Sequence, residues 1–300
     1  MKSSLADWGL LVVPGVIWGA SFLFIAEGLT AVAPDGVTFI RILIGFLTLS
    51  LVPGARQPIL RSDWKGVFAL GLLWFAFPMS MFPHAEQWIS SALTGMLNGT
   101  VPLFATAVAA VLHRKAPPTM VAVGIAACLF GGVLMAWHGL GAGGSSALGI
   151  GLVIAACVSY GFAVNLARPL QQRNGALPVV WRALLVALVL TAPLGLPRAL
   201  SGHWTPRAVL SLLALGALGT CVANVMTTIA AGRLGATSAS VSAYFIPVVA
   251  LILGVAVRHE HVATISLIGG AISLVAAWVV RWASMRAAAA AMPVAPAAAK

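Results

Sequence analysis

Charge is scarce in this chain: Asp, Glu, Lys and Arg make up 8% of its 300 residues, and only six residues are acidic. A soluble domain carries roughly 25% charged residues, so no water-facing surface can be assembled here. That excludes a soluble enzyme and a disordered polymer. Cysteine is nearly absent as well. Cys128, Cys157 and Cys221 all lie inside apolar stretches; an odd count without loop positions excludes a disulfide framework. No Cys/His spacing resembles a metal site, so neither metal nor cofactor is expected. Basic residues never run longer than two, so the net charge of +11 does not describe a nucleic-acid track, and no nucleic-acid partner is expected. The chain has no G-x-S-x-G and no H-E-x-x-H, the arrangements that esterase-like or metal-dependent hydrolysis uses. No acid falls at the centre of an apolar stretch, which removes a protease aspartate pair and makes uniport or loosely coupled transport fit better than proton-coupled transport. The first apolar stretch is of spanning length with no A-x-A site after it, so it does not read as a cleavable signal.

What is present is apolar. Residues of the AVILMFWYC class fill 61% of the chain, and its mean hydropathy is +1.03. A helix needs about 20 apolar residues to cross a bilayer core. Ten segments qualify, near 9–28, 33–52, 66–84, 90–112, 119–137, 147–168, 177–196, 207–231, 236–257 and 262–282. Turn signals separate them, among them Pro53-Gly54, Pro117-Pro118 and the Gly-rich stretch from Gly141 to Ser146. The runs are continuous rather than alternating, which rules out a transmembrane barrel. Placing the N-terminus inside puts twelve Lys and Arg in cytoplasmic connections and three, Arg198, Arg207 and Arg258, outside. That asymmetry predicts cytoplasmic termini. Seven tryptophans near span ends (Trp8, Trp64, Trp88, Trp137, Trp204, Trp278 and Trp282) read as interface anchors.

The second half echoes the first. Trp18-Gly19 matches Tyr160-Gly161, Ile40-Arg41 matches Trp181-Arg182, Pro102 matches Pro247, Gly124 matches Gly269 and Trp137 matches Trp282. With five spans per copy, the second copy enters the membrane from the opposite side, the inverted arrangement of secondary transporters. The expected fold is therefore an all-α integral membrane protein, its ten transmembrane helices forming two inverted five-helix repeats, 1–140 and 147–284. A disordered Ala/Pro tail over 287–300 is expected to follow. Ten spans in this order, with Trp18-Gly19-Ala20-Ser21-Phe22, Arg41, Pro102 and Gly124 in spans 1, 2, 4 and 5, resemble the EamA-type drug/metabolite transporter superfamily, and within it the YddG-like aromatic amino-acid exporters. The resemblance implies export of small metabolites, amino acids first, from the cytoplasm across a bacterial inner membrane. Of the Gly-Glu pairs that this family often carries after spans 4 and 9, only Glu260 is present. A carrier acting by alternating access is favoured, with a monomer in the lipid bilayer as the expected working unit. The competing classes are an intramembrane enzyme, for which catalytic groups are missing, and a channel, which would show filter loops.

Polar groups within lipid are expensive, so they mark the informative positions. Span 4 sets Ser91, Thr94, Asn98 and Pro102 on one face, and span 9 sets Thr237, Ser240 and Tyr244 likewise. The expected substrate site is lined by Trp18, Ser21, Phe77, Met96, Asn98, Tyr160, Asn224, Ser240 and Tyr244. The cavity between spans 1, 3, 4, 6, 8 and 9 that would hold them is what the family resemblance implies. Pro102 and Pro247 are the expected helix breaks, since each removes an N–H and frees a carbonyl one turn earlier. His84 and Glu86, at the outer end of span 3, read as a solvated loop in preference to a gate or proton site. Arg41 and Arg182 read as residues that snorkel or neutralise helix ends, in preference to binding a substrate carboxylate.

Overall fold

Lipid offers no partner to a bare peptide group, so an apolar chain must satisfy its backbone within each segment, and helices do so. The computed structural model describes residues 5–114, 116, 119–141, 144–234 and 241–290. Among these it is helical throughout, apart from short turns, and contains no strand. In chain order the helices are α1 (Leu5–Gly28), α2 (Pro34–Ser50), α3 (Arg61–Ala85), α4 (Ser91–Leu112), α5 (Thr119–Gly141), α6 (Gly144–Asn174), α7 (Ala176–Leu200), α8 (Pro206–Leu234), α9 (Ser242–Arg258) and α10 (Thr264–Ala290). Six of them, α1, α3, α4, α6, α7 and α8, are long and apolar enough to cross a membrane, and shorter apolar helices accompany them. Helix α10 runs through Ala290, so Ala287–Ala290 is helical rather than part of a disordered tail.

Three interruptions matter for the site. Helix α4 breaks at Gly99-Thr100 and restarts at Val101, with Pro102 in its new first turn, where a missing N–H costs nothing. Helices α3 and α8 each widen to a π-helical turn, over Gly71–Ala76 and Leu215–Val222. Such turns leave backbone and side chains displaced from the regular ladder and recur at functional sites.

The packing is paired. Helix α5 lies along α10 and α2 along α7; α1 packs on α9 and α4 on α6; the wide turn of α8 packs on α2 and that of α3 on α7. Ion pairs tie the helix ends. At one end Asp63 receives Nε and Nη2 of Arg173 at 3.1 and 2.8 Å, and Arg233 pairs with Asp7 at 3.2 Å. At the other, Glu27 is gripped by Arg207 at 2.6 Å and Arg258 at 2.7 Å. Six of the tryptophans expected as anchors, all but Trp282, are exposed on the bundle.

Candidate functional site

Where the helices converge, the bundle lines a partly open cavity of about 210 Å³. Helix α1 contributes Trp18, Ser21, Phe22 and Ile25; α3 contributes Trp74, Phe75, Met79 and Phe82; α4 supplies Asn98 and Val101. Across from them stand Tyr160 and Val164 of α6, Gly219 and Asn224 of α8, and Ala243 and Ile246 of α9. Helix α2 adds one residue, Arg41. The walls are mostly apolar and aromatic with a few polar groups, the composition of small-molecule sites. At about 210 Å³ the space is below the ~300–1,000 Å³ of drug-sized pockets, a scale that suits a small metabolite.

The aromatic wall is held in register. Phe82 meets Phe22 edge-on at 5.5 Å between centroids and stacks on Tyr160 at 6.0 Å, geometries that suit the ring quadrupole. Trp18 Nε1 donates to the Gly219 carbonyl at 2.9 Å, using the wide turn of α8 as its acceptor. Ser21 Oγ donates to Ile17 O at 3.0 Å, and Asn224 Nδ2 donates to Thr220 O at 2.8 Å. Asn98 differs: its Oδ1 is buried with no hydrogen-bond partner among the described residues.

Five of the nine residues expected at the site, Trp18, Ser21, Asn98, Tyr160 and Asn224, therefore meet around one cavity. Three stand elsewhere. Phe77 is 38% exposed and borders an outward groove with Leu72, Leu73 and Phe162, since it stands two residues from both Phe75 and Met79 and so faces away from them. Met96 is buried in packing, its Sδ-methyl end against Gly270 of α10. Tyr244 Oη donates to the Ala277 carbonyl at 3.1 Å and anchors α9 to α10. Ser240 lies outside the described residues. Pro247 sits inside α9 with its ring against Gly99, at the break of α4. His84 Nδ1 lies 2.8 Å from Ser80 O and its Nε2 3.6 Å from Asp35, tying α3 to the start of α2.

Two expectations need correction. Glu86 is not in a solvated loop: both carboxylate oxygens are buried without a partner among the described residues. Burial pushes its pKa well up, Glu260 pushes the same way, and Arg258 and Arg41 pull down. Arg41 and Arg182 are also not equivalent. Arg182 lies over the ring of Trp181 at 5.4 Å and donates to Pro178 O. Arg41 is 6% exposed and donates from Nε to Thr220 Oγ1 at 3.2 Å, at the cavity. The signal was its depth: eighth of 17 residues in α2, it is far from both helix ends that snorkelling would need. Glu260 also finds its role in the structure, accepting from Ser91 N and Oγ and from Ala92 N at 2.8–3.1 Å, a cap on α4.

Comparisons with known proteins agree with this architecture. A family model described as the EamA-like transporter family matches twice, over residues 8–137 and 147–282. The chain is 26% identical over 279 residues to a Streptantibioticus cattleyicolor protein named "Probable terminal-alkyne amino-acid exporter", covering 91% of this chain and 92% of that one. It is likewise 26% identical to the "Uncharacterized transporter YdfC" of Bacillus subtilis over 265 residues, 86% of this chain and 85% of the relative. A protein of known crystal structure shares the fold with a TM-score of 0.61 at 18% identity, over 94% of this chain and 97% of that one. With a multi-pass apolar helix bundle and a family model covering nearly all of it, the chain belongs to the EamA-like transporter family.

Proposed function

We infer that this protein is a secondary carrier that exports small metabolites, amino acids foremost, across a bacterial inner membrane by alternating access. The observation that carries the reading is the central cavity lined from both halves of the chain, Trp18, Phe22 and Val101 from one, Tyr160, Val164 and Ile246 from the other. A site at the meeting of two repeats is where a rocking motion can open it to either side in turn. The reading takes α1–α10 as ten crossings in two inverted halves, with both termini cytoplasmic. The paired packing of α5 with α10, α2 with α7, and α1 with α9 against α6 with α4 supports it, as does the double match of the family model. The amino-acid cargo is suggested by the relative named as an amino-acid exporter. Cavity residues Trp18, Ser21, Asn98, Tyr160 and Asn224 would contact it.

Two measurements test the reading. Purified protein in liposomes loaded with L-phenylalanine or L-leucine should show saturable counterflow of the labelled solute; flux that grows linearly with concentration would instead mark a pore. Reporter fusions in the 141–146 connection should read as outside, and a cytoplasmic reading would remove the inverted arrangement.

A further inference from the structure

Arg41 is buried in α2 at 6% exposure, and an unneutralised cation at that depth is costly. It forms no ion pair among the described residues. Five of the six acids are engaged: Asp7 by Arg233, Glu27 by Arg207 and Arg258, Asp35 by His84, Asp63 by Arg173 and Glu260 by Arg258. Glu86, the sixth, feels Arg41 through space but forms no ion pair or hydrogen bond among the described residues. The bond to Thr220 uses only Nε of Arg41, which leaves the terminal nitrogens without a protein acceptor among the described residues. Gly219 keeps that edge open. A Cβ there would meet Ser21 Oγ at 2.8 Å and stand 3.9 Å from Arg41 Nη2.

A second observation is independent of the first. Asn98 Oδ1, in the same cavity, is buried and unpartnered among the described residues, and a buried acceptor left unsatisfied is destabilising. Neither group belongs to the shared scaffold. At the offset that relates Trp18 to Tyr160, Arg41 corresponds to Ala183, and at that of Pro102 and Pro247, Asn98 corresponds to Ala243. The Arg41–Arg182 match read from the sequence is one residue out of this register, since Ala183 O meets the wide turn of α3 as Arg41 O meets that of α8; a guanidinium and an amide needed only for packing would have counterparts in the other half.

We propose that Arg41 binds a carboxylate of the cargo, so that the transported class is small carboxylates with an apolar body, amino acids included, and not organic cations. A carboxylate matches the planar fork of the guanidinium. Asn98 Oδ1 accepts from an N–H of the same cargo, and the rings of Trp18, Phe82 and Tyr160 cover its apolar part. The proposal rests on the carrier reading above and names what its site selects.

The test compares three solutes of one shape: L-phenylalanine, 3-phenylpropanoate, which lacks the ammonium, and 2-phenylethylamine, which lacks the carboxylate. Binding is read by thermal shift of the detergent-purified protein and transport by counterflow in liposomes. Both carboxylates should bind and the amine should not, a comparison that needs no variant. Arg41→Gln should weaken carboxylate binding by about tenfold to a hundredfold, the loss of a charge-assisted hydrogen bond; Arg41→Lys should recover part of it. Equal binding of the amine, no binding of either carboxylate or of L-leucine at millimolar concentration, or wild-type affinity in a folded Arg41→Gln variant would each overturn the proposal. Saturable counterflow indifferent to Arg41 would do so while leaving the carrier standing. Arg41-dependent binding without counterflow would defeat the carrier and leave the site.

Discussion

Trp18 and Tyr160 face the central cavity from α1 and α6, and Phe22 and Val164 follow one turn later in each helix; Val101 of α4 and Ile246 of α9 complete a third such pair. The frame behind them is matched as closely. Gly71 in the wide turn of α3 lies so near α7 that a Cβ would meet Ala183 O at 2.7 Å and Val186 Cβ at 2.8 Å. Gly216 in the wide turn of α8 lies the same way on α2, where a Cβ would meet Ile44 Cβ at 2.5 Å and Arg41 O at 3.0 Å. Ala183 and Val186 stand 142 residues beyond Arg41 and Ile44. The two halves thus agree where backbone meets backbone and in these apolar pairs, and differ in the polar groups Arg41 and Asn98 of the first, at whose matched positions the second has Ala183 and Ala243. Packing constrains both copies alike, whereas recognition of an asymmetric solute requires unlike walls.

The largest expected effects attack the shared frame. Gly71→Val and Gly216→Val each force a helix pair apart, and overpacking of this kind costs about 1–3 kcal/mol. Both should sharply reduce the folded yield on size-exclusion chromatography; tolerance of one alone would mean that the turns are not equivalent.

The ion pairs at the two ends give the next comparison. Glu27, with 8% of its side chain exposed, serves two arginines, so Glu27→Gln should cost about 2–3 kcal/mol. It should lower the Tm more than Asp63→Asn, whose partner Arg173 is half exposed. The reverse order would show that the Asp63 end holds the bundle together.

Within the site, Asn98→Ala should raise the KM for counterflow severalfold while leaving the folded yield intact. Tyr244→Phe, which removes a hydrogen bond to Ala277 O, should cost about 1 kcal/mol and leave that KM unchanged. A shifted KM in Tyr244→Phe would return this residue to the cavity.

The smallest effect is one of pH. Because the folded-state pKa of Glu86 is raised, chiefly by burial, its contribution to stability is present at low pH and lost as pH rises through that value. Thermal stability measured against pH should therefore fall across that window in the wild type. The fall should be absent in Glu86→Gln.

Much of this was legible in the residues. The helical class follows from hydropathy, and the internal echo follows from Trp18 with Tyr160 and Pro102 with Pro247. Asn98 and Asn224 were legible because an amide inside an apolar run must face something polar. Phe77 and Met96 were misplaced. Phe77 stands two residues from both Phe75 and Met79, which puts it on the opposite side of α3 from the face that lines the cavity, and Met96 is taken up in packing against α10. Tyr244 was misread because its hydroxyl finds an acceptor on α10, which no count along α9 can show.

Sequence alone determined that the chain lives in lipid, since 8% charged residues cannot cover a water-facing surface. It also determined where the helices run and that the halves echo one another, because hydropathy and periodicity are local properties. Tertiary structure alone decided that Arg41 enters the cavity while Arg182 lies over Trp181, and that Glu260 caps α4. The same chemical group can snorkel, pair or bind; the choice depends on which neighbours surround it, and those come from helices far away in the chain.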